Sequence, residues 1–126
     1  MNAFKAKFLT GCVIGVRIFS FEQKYQIYSG FKRYNLTKEQ VKVYARKGMS
    51  SDRMSYCKHA LVKGFSVEEM KEWLDMNLNG YIFRYAIEGR QMGIPKEKVQ
   101  EYANTKISVG DSFKRYIELI QEYRCK

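Results

Sequence analysis

The chain has 126 residues, of which 45% are hydrophobic and 29% charged, with a single proline. That length suits one ordinary domain with one core, and the apolar share and scarcity of proline exclude a disordered or Pro-rich chain. Net charge is +10, from 23 Lys and Arg against 13 Asp and Glu. Such an excess fits polyanion binding, and equally fits a basic protein whose charge only keeps it dispersed.

The charge is unevenly spread. Residues 1–62 hold 12 basic side chains against Glu22, Glu39 and Asp52, whereas residues 63–91 hold 4 against 5 and residues 92–126 hold 7 against 5. Cys12, Cys57 and Cys125 form no CxxC pair, and the one histidine, His59, cannot complete a zinc set. No metal or cofactor is expected, and reduced thiols fit a cytoplasmic protein.

At the N-terminus, Leu9-Thr10-Gly11-Cys12 looks like a lipoprotein cleavage box. The apolar run from Phe8 to Val16 continues past that cysteine and stops at Arg17, short of the roughly 20 residues that span a bilayer. It reads as buried core, with no membrane partner. Helix and extended strand both remain open for Cys12-Val13-Ile14-Gly15-Val16. Ser20 with Gln23 then opens a helix over about residues 21–33.

From Leu36 onward the sequence repeats every 29 residues. Leu36-Thr37-Lys38-Glu39-Gln40-Val41-Lys42-Val43-Tyr44-Ala45 returns as Phe65-Ser66-Val67-Glu68-Glu69-Met70-Lys71-Glu72-Trp73-Leu74. It returns again as Ile94-Pro95-Lys96-Glu97-Lys98-Val99-Gln100-Glu101-Tyr102-Ala103. A fixed period of this size signals stacked supersecondary units. Each copy sets an apolar residue before a cap (Thr37, Ser66, Pro95) and its staple partner four residues beyond it, at Val41, Met70 and Val99. Thr37 with Gln40 and Ser66 with Glu69 read as capping boxes, while Pro95 supplies no acceptor. Met49-Ser50, Leu78-Asn79 and Ile107-Ser108 start second helices, with Met54, Phe83 and Phe113 as staple partners. The last requires one inserted residue near Gly110.

The predicted helices are therefore 38–47 and 51–62, 67–76 and 80–91, and 96–105 and 109–124. Gly64 and Gly93 end the preceding helices in the left-handed conformation, and Asn35 holds the matching place. Val41, Tyr44, Ala45 and Gly48 share one apolar face, as do Met54, Cys57 and Leu61. A lone hairpin cannot bury both stripes, so neighbours must cover each other, and these stripes absorb most of the 10 tyrosines. Residues 1–19 and the long last helix act as caps. The expected fold is a single all-α domain of about six or seven helices. It comprises an N-terminal cap and degenerate unit over 1–35 and hairpins over 36–64, 65–93 and 94–126, stacked in a short curved array.

No catalytic residues are predicted. Cys57 and His59 point different ways on a helix, and Glu68, Glu69, Glu72 and Asp75 read as a solvated face around Lys71. The stretch Gln40 to Ser50 with the helix after it resembles a DNA-reading helix-turn-helix, with Ala45 in its first helix and Gly48 in the turn. That resemblance implies Ser51, Arg53 and Tyr56 in a major groove, with Lys42, Arg46 and Lys47 on phosphate. The same hairpin recurs with acidic side chains in the second copy, so stacking accounts for it without DNA. Lys38, Lys42 and Arg46 at i, i+4 and i+8 form a basic ridge, and Lys32 and Arg33 close the preceding helix.

Residues 36–103 also resemble tandem helical repeats of small proteins from Gram-positive bacteria and their phages and mobile elements, with units of the form apolar–Ser/Thr–x–Glu–Gln/Glu–Val–x–x–Tyr–Ala. The resemblance implies an accessory protein of such an element that binds a host or phage nucleoprotein, or inhibits a defence complex. Three expectations stand. The first is a non-enzymatic protein whose basic half contacts nucleic acid or a nucleoprotein through Lys32, Arg33, Lys38, Lys42, Arg46, Lys47, Arg53 and Tyr56. The second is an inhibitor or adaptor that binds a partner protein. The third is a helix-turn-helix regulator.

Overall fold

The computed structural model describes residues 18–124, which fold into seven helices with no strand among them. These are α1 (Phe21–Lys32), α2 (Lys38–Tyr44), α3 (Ser51–Val62), α4 (Val67–Asp75), α5 (Gly80–Gln91), α6 (Lys96–Tyr102) and α7 (Val109–Arg124). The protein is all-α, as the repeat requires. The lipoprotein-like box, the segment 12–16 and Cys125 lie outside the described residues.

Helix starts follow the local chemistry of the caps. Ser20 and Thr37 each accept a bond from the backbone N–H of Gln23 and Gln40, and both glutamines reach back to the cap N–H at 2.7 and 2.8 Å. Ser50, Asn79 and Ser108 cap α3, α5 and α7 through Arg53 N, Tyr81 N and Asp111 N. Pro95 makes no side-chain cap bond. Asn35, Gly64 and Gly93 take positive φ of 57°, 97° and 92° where the sequence placed left-handed residues.

Two helices are shorter than predicted. Expected to reach residues 47 and 105, α2 and α6 stop at Tyr44 and Tyr102, because Ala45 and Ala103 leave the helical region with ψ of 70° and 83°. Tertiary and turn bonds take over the carbonyls that further helix would have used. Ser112 Oγ donates to the Tyr102 carbonyl at 2.6 Å, and the Arg46 N–H turns back to the Tyr44 carbonyl at 2.8 Å. Gly48, assigned by its spacing to the buried face, is consequently exposed in the turn that follows.

The described residues divide into two compact units between Val67 and Glu68. In the first, α1, α2 and α3 pack on one another around Ile27, Val41, Tyr44, Met54, Cys57 and Leu61. In the second, α5, α6 and α7 pack in the same pairwise pattern around Phe83, Ile87, Val99, Tyr102 and Leu119, with Met70 and Trp73 of α4 also buried. The 29-residue register holds in burial. Val41, Met70 and Val99 are buried, as are Tyr44, Trp73 and Tyr102, and Met54, Phe83 and Ser112. The last position corrects the predicted staple. Ser112, not Phe113, takes the inward place with no insertion, and Phe113 is 46% exposed.

Each unit contains the same tyrosine-over-glycine contact. Tyr44 Oη donates to the Gln26 carbonyl at 2.8 Å, passing over Gly30, and Tyr102 Oη donates to the Tyr85 carbonyl at 2.6 Å, passing over Gly89. A Cβ at either glycine would fall on the hydroxyl. Burial raises the Tyr44 hydroxyl pKa, and the neighbouring Cys57 adds to the effect. The middle copy holds Ala60 and Trp73 at these register positions, and the indole N–H donates to Glu69 Oε2 at 2.9 Å. These two are also the only buried tyrosines of the chain's 10, so the expectation that core stripes absorb most of them is corrected. The other eight lie at or near the surface.

Candidate functional site

The boundary between the units also divides the charge. The sequence up to Val67 carries 13 Lys and Arg against 3 Asp and Glu, the whole net +10, while residues 68–126 carry 10 of each. In the second unit several of these charges pair. Arg90 holds Glu69 with Nε and Nη2 at 2.7 and 3.0 Å, Lys96 meets Glu72, and Arg115 bridges Glu101 and Glu118. Glu69 is thus no part of a solvated face. Its side chain is 19% exposed, and the hydrogen bonds from Arg90 hold its carboxyl below the usual carboxylate range.

The predicted contact residues fall into two groups. Lys32 in the last turn of α1, Arg33 at its C-cap, Lys38 and Lys42 on α2, and Lys47 in the following turn are all exposed cations. Arg46, Arg53 and Tyr56 are half-buried. The ridge of Lys38, Lys42 and Arg46 does not form as one helical row, because α2 ends before Arg46, whose Nε donates to the Val43 carbonyl at 2.9 Å. Arg46 and Arg53 act on the buried Cys57, whose thiol is pushed up to about 12 by burial and drawn partly back by these two cations. Toward the start of α3, Asp52 is the exposed side chain and Arg53 lies half inside, so a groove-reading helix would lead with an acid.

A second cluster, which spacing alone did not single out, centres on Tyr34 and Lys58. Lys58 is 3% exposed, and the same register position holds the buried Ile87 in the next copy and Tyr116 in the last. Its ammonium donates to Gln26 Oε1 at 2.7 Å and Ser29 Oγ at 3.0 Å, and lies 5.1 Å from the Tyr34 ring and 5.8 Å from that of Tyr25. Desolvation lowers its pKa and nearby Arg33 lowers it further. The Arg33 guanidinium lies 5.7 Å from the Tyr34 ring, and the His59 ring meets the same tyrosine edge-on at 5.4 Å. Among the described residues no carboxylate pairs with Arg33, Lys58, His59 or Lys63.

Backbone bonds identify Tyr34 as an extra residue. At the three helix ends, Arg33, Lys63 and Met92 donate to Ser29, His59 and Glu88, and Leu36, Phe65 and Ile94 donate to Gly30, Ala60 and Gly89. Between these paired anchors the later copies need only the left-handed Gly64 or Gly93, whereas the first has Tyr34 as well as Asn35. The six-residue step from Gly30 to Leu36, against five from Ala60 to Phe65, is the sequence trace of this insertion. In the second unit, Tyr116 takes the place of Lys58. It stacks on Tyr85 at 5.0 Å and donates to Glu88 Oε2 at 2.6 Å, at the places of Gln26 and Ser29. Phe113, 46% exposed, meets both the Tyr85 and the Tyr116 rings, so an aromatic cluster stands where the first unit has Lys58, Gln26 and Ser55.

Among the described residues, no three His, Cys, Asp or Glu side chains converge to hold a metal, and no helix is long and apolar enough to cross a membrane. No protein family, curated protein or solved structure matches the chain.

Proposed function

We propose that this protein is a non-enzymatic binder whose first unit engages the phosphate backbone of a nucleic acid, alone or within a nucleoprotein. The carrying observation is the division of charge: the sequence up to Val67 holds the entire net +10, and the second unit is neutral, with Arg90, Lys96, Lys98 and Arg115 in ion pairs. Uncompensated exposed cations on a rigid scaffold release counterions when they meet phosphate, which supplies affinity without sequence preference. Lys32, Arg33, Lys38, Lys42 and Lys47 supply them. A role as an accessory protein of a phage or mobile element accords with this reading and with the repeat resemblance.

The aromatic cluster of the second unit favours a further reading, in which Tyr85, Phe113 and Tyr116 meet a partner protein. A nucleoprotein target would engage both.

Fluorescence anisotropy with labelled mixed-sequence oligonucleotides tests the first reading. Five phosphate contacts predict a slope of about −4 in log K against log salt. Joint replacement of Lys38, Lys42 and Lys47 by alanine lowers that slope by about 2. Absence of binding at low salt refutes the reading and leaves the protein partner.

A further inference from the structure

We propose that the exposed Arg33, His59 and Lys63, set about Tyr34 and the buried Lys58, seat one backbone phosphate of the bound nucleic acid and that seating it loads a proton onto His59. This deepens the nucleic-acid reading and rests on it. Lys63 follows His59 by one helical turn at the end of α3, and Arg33 ends α1 beside them. The guanidinium and ammonium groups bring N–H donors and no acceptor, and the imidazole becomes a donor at both nitrogens once protonated. Together they present the charge-assisted donors that phosphate oxygens take best.

In the free protein the arrangement disfavours that proton. His59 has its pKa lowered by partial burial and by Lys58, Lys63 and Arg33, the charges that act on it; none comes from α2, which also packs on α3. The Tyr34 ring meets it edge-on. Lys58, buried, has Gln26 and Ser29 as its hydrogen-bond partners, so its charge is held in place by neutral groups. Like charges held together favour an anion among them, and a phosphate offsets the cationic field at His59. Neither later copy repeats this cluster. It depends on the inserted Tyr34 and on lysine at a position that holds Ile87 and Tyr116 elsewhere.

His59 is the single histidine, so its ring signals in an NMR titration are unambiguous. The expected result is an imidazole pKa below 6.5 in the free protein that rises on adding a short oligothymidylate. Because a phosphodiester does not titrate in this range, the protein's affinity for it should increase several-fold between about pH 7.5 and 5.5, approaching tenfold per unit where one full proton is taken up. His59→Gln, at an exposed position, should leave folding intact and flatten that dependence, and Arg33→Ala or Lys63→Ala should weaken binding and reduce the His59 shift.

Oligonucleotide binding with an unmoved His59 and flat pH dependence overturns the seat and leaves the basic-unit reading standing. A His59 shift with inorganic phosphate but none with oligonucleotide overturns the assignment to nucleic acid in favour of a small phosphorylated ligand. No oligonucleotide binding at low salt overturns both proposals.

Discussion

Replacing Gly89 by alanine tests the tyrosine-over-glycine contact that organises each unit. In an open helix this change gains about 1 kcal/mol, because glycine is the costlier residue there. At Gly89 the new methyl falls on Tyr102 Oη, with Val99 Cγ2 at 3.3 Å and Tyr102 Cζ at 3.4 Å behind it. The ring must withdraw and its bond to the Tyr85 carbonyl must break. Stranding the hydroxyl costs about 1–2 kcal/mol, and displacing a fully buried ring costs about 1–3 kcal/mol. Net destabilisation of about 2 kcal/mol follows, or roughly 10 °C in a unit of this size. Thermal unfolding followed by circular dichroism measures it. Gly110→Ala in the first turn of α7 of the same unit is the control, since its Cβ would meet no heavy atom within 4 Å and the change should be neutral or modestly stabilising. The double variant Gly89→Ala with Tyr102→Phe should recover about 1 kcal/mol, because removing the hydroxyl clears the methyl. A Gly89→Ala protein as stable as Gly110→Ala, or no recovery in the double variant, refutes the packing argument.

Glu69→Gln should cost about 2 kcal/mol near neutral pH by removing a carboxylate that accepts from Arg90 and Trp73. The folded pKa of Glu69 lies below the unfolded value of 4.5, so its contribution is present above about pH 4.5 and fades as pH falls through the depressed folded value. The gap between the two melting curves should close in acid; a constant gap argues against the ion pair. Cys57 is buried, with its thiol pushed up to about 12, so in a Cys12→Ser, Cys125→Ser background it should resist alkylation at neutral pH until the first unit opens. Fast native-state labelling would contradict that burial. Lys58→Met should leave the first unit unchanged or about 1 kcal/mol more stable, since a buried cation without a carboxylate is exchanged for an apolar chain of similar length. The same change should weaken oligonucleotide binding, and a large loss of stability would mean that Lys58 serves the fold.

Most of the fold was legible because it is written in local chemistry. Ser20, Thr37 and Ser50 placed helix starts correctly, and Asn35, Gly64 and Gly93 placed helix ends, since caps and left-handed residues act within a few positions of themselves. What failed was decided at a distance. The early ends of α2 and α6 depend on where Ser112 and the turn after Tyr44 send their donors, and apolar spacing carries no record of that. Phe113 reads as the staple because it is apolar, yet the register assigns Ser112 to the core, where its hydroxyl has a partner. The exposed cations were visible as composition, while Lys58 was hidden by its position: a lysine on a helix reads as solvated until the neighbouring copy shows that its place is inside.

That comparison between copies is where structure adds most to the functional reading. Packing demands are alike in the two units, so any position where both bury the same chemistry is explained by the fold: Val41 and Val99, Tyr44 and Tyr102, Leu61 and Leu119. The first unit departs at two places: Lys58 stands where the second unit has Tyr116, and Tyr34 is added where Gly93 alone completes the turn. One buries a cation without a carboxylate, and the other lengthens a turn and brings an aromatic ring against that cation, Arg33 and His59. They lie together, in the unit that holds the whole net charge. The proposed phosphate seat lies where the repeat departs from its own pattern at two adjoining places.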